Sequence, residues 1–229
     1  FWYSDDDVSA VMSVLEQAHY QKDRYVVLIA GAQFDVRFYK QYGKALNSFC
    51  LRHKYPVVAI GAEADQEITE VNLKDLSCPY INLCGKTSLP QTAALLANAK
   101  IALGAETAGA HIAAAVKTPH VILLGGGHFG RFMPYSAYTS AVSLPLQCFA
   151  CNWRCQFDQC YCVTDIAHEA LTLALEETHQ EILDLPRLFV QGRDYRRDSE
   201  PLVTWSMEET YKHLNLDMVR LIPLNNKNQ

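Results

Sequence analysis

The chain of 229 residues is 49% hydrophobic and 20% charged, a composition typical of a globular protein that buries a sizeable core. Its formal net charge is −5, so bulk charge gives no argument for a nucleic-acid partner or an anionic membrane. No apolar run approaches the roughly 20 residues that a membrane-spanning helix requires. The chain begins FWYSDDD, without an initiator Met or a signal-peptide pattern, so we expect it to be part of a longer protein.

Apolar runs of strand length alternate with amphipathic segments of helix length. A connector helix over 6–21 is predicted first, within a segment 1–24 that precedes the first strand. The predicted strands are 25–30, 56–60, 80–83, 101–103, 121–124 and 141–146. The predicted helices that follow them are 38–53, 65–73, 89–99, 108–117 and 166–182. This alternation predicts an α/β fold with a doubly wound parallel sheet of Rossmann type.

Capping residues and a change in composition mark the boundaries of these segments. Ser88 and Thr107 stand where they can cap the helices after them, and Thr164 or Asp165 can cap the last long helix. From residue 184 the chain becomes polar, so 184–229 is predicted to be a tail. Within it, a capping box at 206–209 predicts one short helix.

Polar residues and glycines are concentrated at the carboxyl ends of the predicted strands. In a doubly wound sheet the first and fourth strands are adjacent, and ligands bind at their carboxyl ends. That arrangement brings Arg37, in the loop after the first strand, towards Glu106 and Thr107, after the fourth. The glycine loop 125–131 lies beside them. Such a set suits a phosphate on helix amides and a ribose or sugar hydroxyl on the carboxylate.

Each of these side chains also has an ordinary structural interpretation. Glu106 can be a partner of the helix dipole, and Arg37 can be a surface charge. His111 can be a packed structural residue or a support for a phosphate-binding loop. The structural interpretation of the consecutive glycines 125–127 is that they simply permit a tight turn. His128 and Arg131, in the same loop, are further candidate ligand contacts.

Cysteine is concentrated in one loop, 148–162, with the spacing C-x2-C-x3-C-x4-C-x-C. Four thiolates from a short loop can close a tetrahedral zinc or iron site. The predicted ligands of such a structural metal are Cys148, Cys151, Cys155 and Cys160, with Cys162 as an alternative ligand. Two disulfides plus a free thiol, or reduced packing residues, are the alternatives. The α/β pattern itself favours a reducing cytoplasm.

Several motifs resemble those of the heptosyltransferase family of glycosyltransferases, over about residues 25–182. The loop 31–39 resembles the family's G-A-x-x-x-x-K-x-W, with Arg37 for Lys and Tyr39 for Trp. The matching turns are 61–63 (GAE) for its G-x-E, 85–89 (GKTSL) for its G-K-T-S-L, and 125–127 (GGG) at the position of its G-P-T. Residues 106–115 (ETAGAHIAAA) are similar to its D-T-G-x-x-H-x-A-A-A, with Glu for Asp and Ala108 for Gly.

This resemblance implies the carboxyl-terminal, donor-binding half of a bacterial glycosyltransferase of the GT-B type, here over 25–183. It implies binding of a nucleotide sugar such as ADP-heptose and inverting transfer to a lipopolysaccharide or protein acceptor, with no cofactor required for transfer. The acceptor site and the catalytic base would lie in an amino-terminal domain that this chain lacks. The reaction would occur in the cytoplasm or at the inner face of the membrane, with no nucleic-acid partner.

The resemblance also implies roles for individual residues. Arg37 would neutralise the donor diphosphate, Glu106 would contact the sugar, and Glu63 would hold the ribose or the base. Arg37 and Glu106 are thus the implied catalytic residues. The other implied donor-binding residues are Gly31, Thr87, Thr107, Ala108, Gly109, His111, Gly126 and Gly127.

Two other functional classes are open. An NAD-dependent dehydrogenase needs G-x-G-x-x-G between its first strand and helix, and residues 31–37 do not supply that motif. A non-catalytic interaction module would use a metal-stapled cysteine loop and the segment 193–197 to dock another chain, and it would bind no nucleotide.

Overall fold

The computed structural model describes residues 3–127, 131–146 and 148–191, and the backbone of 218–222. His128, the segment 193–197 and the helix predicted from residue 206 lie outside the described residues. Within them, no helix is both long and apolar enough to cross a bilayer.

One parallel sheet forms the centre of the molecule. Its strands are β1 (Val26–Ile29), β2 (Val57–Ala59), β3 (Tyr80–Asn82), β4 (Ile101–Ala105), β5 (His120–Leu123), β6 (Thr139–Ser143), β7 (Arg187–Gln191) and β8 (Met218–Ile222). They are ordered β3-β2-β1-β4-β5-β6-β7-β8, and every neighbouring pair is parallel. The predicted doubly wound α/β fold is therefore confirmed, with β1 beside β4.

Helices cover both faces of this sheet. They are α1 (Asp5–Gln17), α2 (Tyr42–His53), α3 (Gln66–Leu73), α4 (Leu89–Ala97), α5 (Ala108–Ala115), α6 (Tyr161–Thr164) and α7 (His168–Gln180). Alternate side chains of β1 enter different cores: Val26 and Leu28 pack with residues of α2 and α7, whereas Val27 packs with residues of α1, α4 and α5. Because the strands are buried on both faces, their sequences are continuous apolar runs.

Two helices begin later than the sequence predicts. Helix α2 was expected from residue 38 but begins at Tyr42, after a short 3₁₀ turn at Asp35–Arg37. Between the two, the Tyr39 side chain is buried and its hydroxyl donates to the Ile166 carbonyl at 2.6 Å, so residue 39 serves the core. The predicted caps Thr164 and Asp165 do not cap α7, whose N-cap residue is Ala167.

Strands β7 and β8 are not predicted from the sequence. Both fall within 184–229, which was expected to be a polar tail, and β7 is buried throughout. Strand β7 extends the sheet because its backbone pairs with β6, from Ser140 opposite Arg187 to Ser143 opposite Val190. The domain limits proposed from the sequence remain a prediction.

Candidate functional site

A cavity of about 600 Å³ opens at the carboxyl ends of β1, β2 and β4, where ligands bind in sheets of this type. The loops after these strands and the amino ends of α4 and α5 line it. Five residues predicted to bind the donor meet there: Gly31, Thr87, Thr107, Ala108 and Gly109. The sheet order explains this meeting, because residues far apart in the chain follow adjacent strands.

The amino end of α5 faces this cavity through Thr107, Ala108 and Gly109. The first amides of a helix have no partner within the helix and carry a partial positive charge, so they favour an anion. Thr107 is the N-cap residue by position, but its side chain makes no capping hydrogen bond. Its hydroxyl donates instead to the Ala105 carbonyl at 3.5 Å, a long contact that a ligand oxygen can replace.

Replacing Ser88 by Ala should therefore destabilise the protein more than replacing Thr107 by Ala. The Ser88 hydroxyl accepts a hydrogen bond from the Gln91 amide at 3.3 Å within a complete capping box, and loss of such a cap costs about 1 kcal/mol. Thr107→Ala removes no cap and should change the free energy of unfolding by less than about 0.5 kcal/mol. Urea denaturation of both variants measures the difference, and equal losses would contradict this assignment.

Arg37 and Glu106 meet beside this cavity, in a smaller closed pocket with Trp153. The Arg37 guanidinium donates to the backbone carbonyl of Glu106 and lies over the Trp153 ring, 5.1 Å from its centre. The carbonyl that accepts this hydrogen bond belongs to the peptide bond between Glu106 and Thr107. Neither Arg37 nor Glu106 lines the larger cavity, but both adjoin its α5 wall.

The Glu106 carboxyl is buried with only 5% of the residue exposed. Burial raises its pKa to about 7, while the positive charge of Arg37 and the backbone amide of Phe132 act in the opposite direction. Its Oε1 atom has no hydrogen-bond partner among the described residues. A buried polar atom without a partner is destabilising unless a ligand satisfies it, which makes Glu106 a candidate contact for a ligand hydroxyl.

Glu63 and His111, both predicted to bind the donor, lie outside the cavity. Glu63 is exposed on a 3₁₀ turn, Glu63–Asp65, and its backbone packs against Gly85. His111 is exposed on α5, so the structure does not support the alternative of a packed structural histidine. Arg131, a further candidate contact, is exposed and its guanidinium lies over the Phe132 ring.

Gly126 and Gly127 are buried beneath the cysteine-rich loop instead of facing the cavity. The Gly126 carbonyl accepts from the Ala150 amide at 2.7 Å, and the Gly127 carbonyl accepts from the Asn152 amide at 2.9 Å. A Cβ atom on Gly126 would lie 2.2 Å from the Phe149 ring. These glycines therefore make room for aromatic side chains of the loop.

The cysteine-rich loop does not place its thiols as a metal site. All the predicted ligands lie in the described residues, where no group of three or more His, Cys, Asp or Glu side chains could hold a metal ion. The thiols have other contacts: Cys155 donates to the Gln159 carbonyl at 3.4 Å, and Cys162 accepts from the Gly126 amide at 3.3 Å. All are free, and Cys160 and Cys162 belong to the hydrophobic core.

Other residues of the cavity were not predicted from the sequence. Asp65, Gln33 and Thr92 contribute polar groups, and Ile60 and Leu89 contribute apolar surface. Asp65 had a sequence signal of its own, since it follows the matched turn 61–63 by two residues. Its position in the cavity depends on how that turn folds, which the motif does not specify.

Comparisons with known proteins identify relatives in sequence and in fold. The family model described as glycosyltransferase family 9 (heptosyltransferase) matches residues 4–161. Lipopolysaccharide heptosyltransferase 3 of Escherichia coli K12 is 33% identical over 119 residues, which cover 50% of this chain and 35% of that protein.

Two solved structures resemble the fold. The glycosyl transferase family 9 structure from Veillonella parvula has a TM-score of 0.63 at 15% identity, covering 78% of this chain and 53% of that one. E. coli ADP-heptose lps heptosyltransferase II has a TM-score of 0.57 at 21% identity, covering 79% and 53%. The chain thus spans about a third of that curated relative and about half of either solved structure. Because the family match extends over more than half of its residues, the chain belongs to glycosyltransferase family 9, the heptosyltransferase family.

Proposed function

We propose that this chain is the donor-binding part of a heptosyltransferase. It holds a nucleotide sugar of the ADP-heptose class for inverting transfer to a lipopolysaccharide or protein acceptor. The observation that carries the proposal is the cavity of about 600 Å³ with the amino end of α5 in its wall. The names of two relatives, a lipopolysaccharide heptosyltransferase and an ADP-heptose heptosyltransferase, support the choice of sugar and acceptor.

The cavity has the size and surface that a nucleotide requires. Its volume falls within the range of about 300–1,000 Å³ that is common for small-molecule sites. Ile60, Leu89 and Ile112 supply apolar surface for the base, and Leu89 is 62% exposed without a ligand. The amide groups at the start of α5 also line the cavity and would donate hydrogen bonds to the diphosphate.

Arg37 and α5 stabilise the leaving group in this proposal. As the bond between the sugar and the diphosphate breaks, negative charge develops on the diphosphate oxygen. We assign the stabilisation of that charge to the amides of Ala108 and Gly109 and to the Thr107 hydroxyl, all of which line the cavity. In this proposal the Arg37 guanidinium turns from the Glu106 carbonyl to the same oxygens, and Arg offers forked donors to a phosphate.

Glu106 contacts the sugar through Oε1, the oxygen that has no hydrogen-bond partner among the described residues. The proposed donor domain is 25–183, with a connector at 1–24. We assign the base that activates the acceptor hydroxyl to a separate acceptor domain. The reaction takes place in the cytoplasm or at the inner face of the membrane.

Thermal shift measurements with ADP, UDP, GDP and NAD at equal concentration test this proposal. ADP at about 100 times its dissociation constant should stabilise the folded state by about 2.7 kcal/mol and raise the melting temperature by roughly 5 °C. Arg37→Ala should weaken ADP binding about 10- to 100-fold, since it removes a charged hydrogen bond. Arg24→Ala is the matched control, because Arg24 is exposed and lies just before the amino end of β1, whereas the cavity opens at the carboxyl end of that strand.

The other outcomes separate the alternatives. Preferential stabilisation by UDP or GDP would retain a nucleotide-sugar site and exclude the ADP-linked class. A preference for NAD would favour a dehydrogenase. The absence of any shift would contradict the proposal and favour the non-catalytic interaction module.

A further inference from the structure

Trp153 lies in the cysteine-rich loop and packs on two glycines of the loop after β5. A Cβ atom on Gly125 would lie 2.5 Å from the Trp153 ring, and one on Gly127 would lie 2.2 Å from it. The ring is half-buried and also packs against the hydrophobic core that contains residues of α2 and α7. Because both glycines leave the room that the indole needs, the ring has a defined position at the carboxyl end of β5.

The backbone that carries Trp153 adopts a conformation that residues with a Cβ atom disfavour. Trp153 has a φ of 61°, and its neighbours Ala150 and Asn152 have φ values of 66° and 51°. A positive φ in a residue as bulky as Trp is rare. Such conformations persist where surrounding contacts enforce them, and they are concentrated at functional sites. Here the hydrogen bonds from Ala150 and Asn152 to the carbonyls of Gly126 and Gly127 hold the turn, so its geometry points to a role for the ring that it presents.

The Arg37 guanidinium lies over this ring, with its Cζ atom 5.1 Å from the ring centre. The negative face of an aromatic ring attracts a cation in that position. The same guanidinium donates to the Glu106 carbonyl, and among the described residues Arg37 forms no ion pair with a carboxylate. The pocket that these groups enclose has a volume of about 10 Å³, room for no more than about one water molecule. Arg37 is thus held in place while its charge stays available for an anion.

Trp153 does not line the cavity of about 600 Å³, so any effect on a ligand there passes through Arg37. A ring face holds a guanidinium without using its N–H groups, which lie in the plane of the guanidinium and can still donate to a phosphate. An arginine side chain that is already restrained loses less conformational entropy when it binds a ligand than one that samples many rotamers. A contact of this kind therefore strengthens anion binding without touching the anion.

We propose that Trp153 is a positioning residue that holds the Arg37 guanidinium over its ring, ready for the diphosphate of the donor. This inference rests on the proposed nucleotide-sugar function and adds a role for the cysteine-rich loop: the loop presents the Trp153 ring to Arg37. It also assigns a function to Gly125 and Gly127, whose missing side chains make room for that ring.

Calorimetric titration with ADP tests the assignment in a double-mutant cycle of Arg37→Ala and Trp153→Leu. Trp153→Leu alone should weaken ADP binding about tenfold, within the range that a cation–π contact contributes. In the Arg37→Ala background the same change should alter ADP binding by less than about twofold, because its only route to the ligand is absent. Trp153→Phe, which keeps a ring face, should lose less than about threefold.

The control is Phe157→Leu, which removes another aromatic ring from the same loop. Phe157 packs against Tyr161, with ring centres 5.4 Å apart, and Phe157→Leu should bind ADP as the wild type does. Melting of each variant without ADP checks the fold. Trp153→Met, which also lacks a ring, provides the same cycle if Trp153→Leu is unfolded at the temperature of the titration.

The outcomes distinguish this inference from the function on which it rests. If the wild type binds ADP but Trp153→Leu binds it equally well, the Trp153 assignment is wrong and the donor site stands. An equal loss from Trp153→Leu in both backgrounds would show that the ring does not act through Arg37. A loss in Trp153→Phe as large as that in Trp153→Leu would exclude the ring face as the cause. If the wild type does not bind ADP at millimolar concentration, the proposed function fails together with the inference.

Discussion

The wild-type protein is expected to lose on the order of 3 kcal/mol of folding stability through Glu106 as the pH rises from about 4.5 to above 7. Burial raises the pKa of this carboxyl from its ordinary value of 4.5 to about 7, despite the nearby Arg37. Since the folded state holds the proton more tightly, the stabilising contribution is complete below pH 4.5. It is lost as the pH rises through 7, where the carboxylate must ionise while buried.

Glu106→Gln should abolish this trend, because an amide of the same shape does not ionise. Between pH 4.5 and pH 8.5, the free energy of unfolding of the wild type should fall by about 3 kcal/mol relative to that of the variant. Urea denaturation across this range, without nucleotide, measures it. Glu67→Gln is the control, since Glu67 is exposed. If the free energies of unfolding of Glu106→Gln and the wild type depend on pH in the same way, folding does not raise the pKa of this carboxyl and the expectation is wrong.

Acid should destabilise the protein through His120. The residue begins β5 opposite Thr139 of β6 and is 1% exposed, and burial lowers its pKa to about 4 from an ordinary value of 6.5. Its Nδ1 atom lies 2.8 Å from the Thr118 carbonyl, so Nδ1–H donates there and the Thr139 hydroxyl donates to Nε2 at 3.0 Å. Both nitrogens are thus hydrogen-bonded in the neutral ring. A second proton, on Nε2, would place a positive charge in this buried position and would require the Thr139 hydroxyl to turn and accept.

The neutral ring contributes stability that is complete above pH 6.5 and is lost as the pH falls towards 4, by about 3 kcal/mol. His120→Asn should be less stable than the parent at neutral pH but should lack this acid-dependent loss. Both proteins in this comparison should also carry Glu106→Gln. Ionisation of Glu106 would otherwise change the free energy of unfolding in the opposite direction over part of this pH range. His19→Asn is the control, since His19 is exposed. An acid-dependent loss that persists in His120→Asn would assign the effect to other groups.

The start of α7 illustrates why some boundaries cannot be read from the chain locally. Thr164 and Asp165 are good capping residues, yet α7 begins after Ala167. The Ala167 amide donates to Gln191 Oε1 at 2.7 Å, and Gln191 Nε2 donates to the Asp165 carbonyl at 2.7 Å. A side chain of β7 thus satisfies the backbone that a local cap would otherwise satisfy. Gln191 lies 24 residues after Ala167 in the chain, so the sequence around the start of α7 does not indicate this contact.

Strand β7 was missed for a related reason. Its apolar run, Leu188 to Val190, is short and lies between Arg187 and Gln191, in a segment that begins to look polar. The ends are tolerated in the core because tertiary contacts satisfy them: the Arg187 guanidinium donates to the Glu181 carbonyl, and Gln191 bonds across to the start of α7. Buried polar groups are accepted where they are hydrogen-bonded.

The sequence by itself determined the parallel sheet, the edge at which the cavity opens and the contribution of the loops after β1 and β4. These follow from apolar runs and motif order, which are local properties of the chain. Only the tertiary structure decided which polar side chains face the cavity. Asp65 enters it because Gly31 and Gly61, in the loops after two different strands, both leave room for a carboxylate, whereas Glu63, two residues earlier, is exposed to solvent. Such selection depends on distances between strands, and no local pattern encodes those distances.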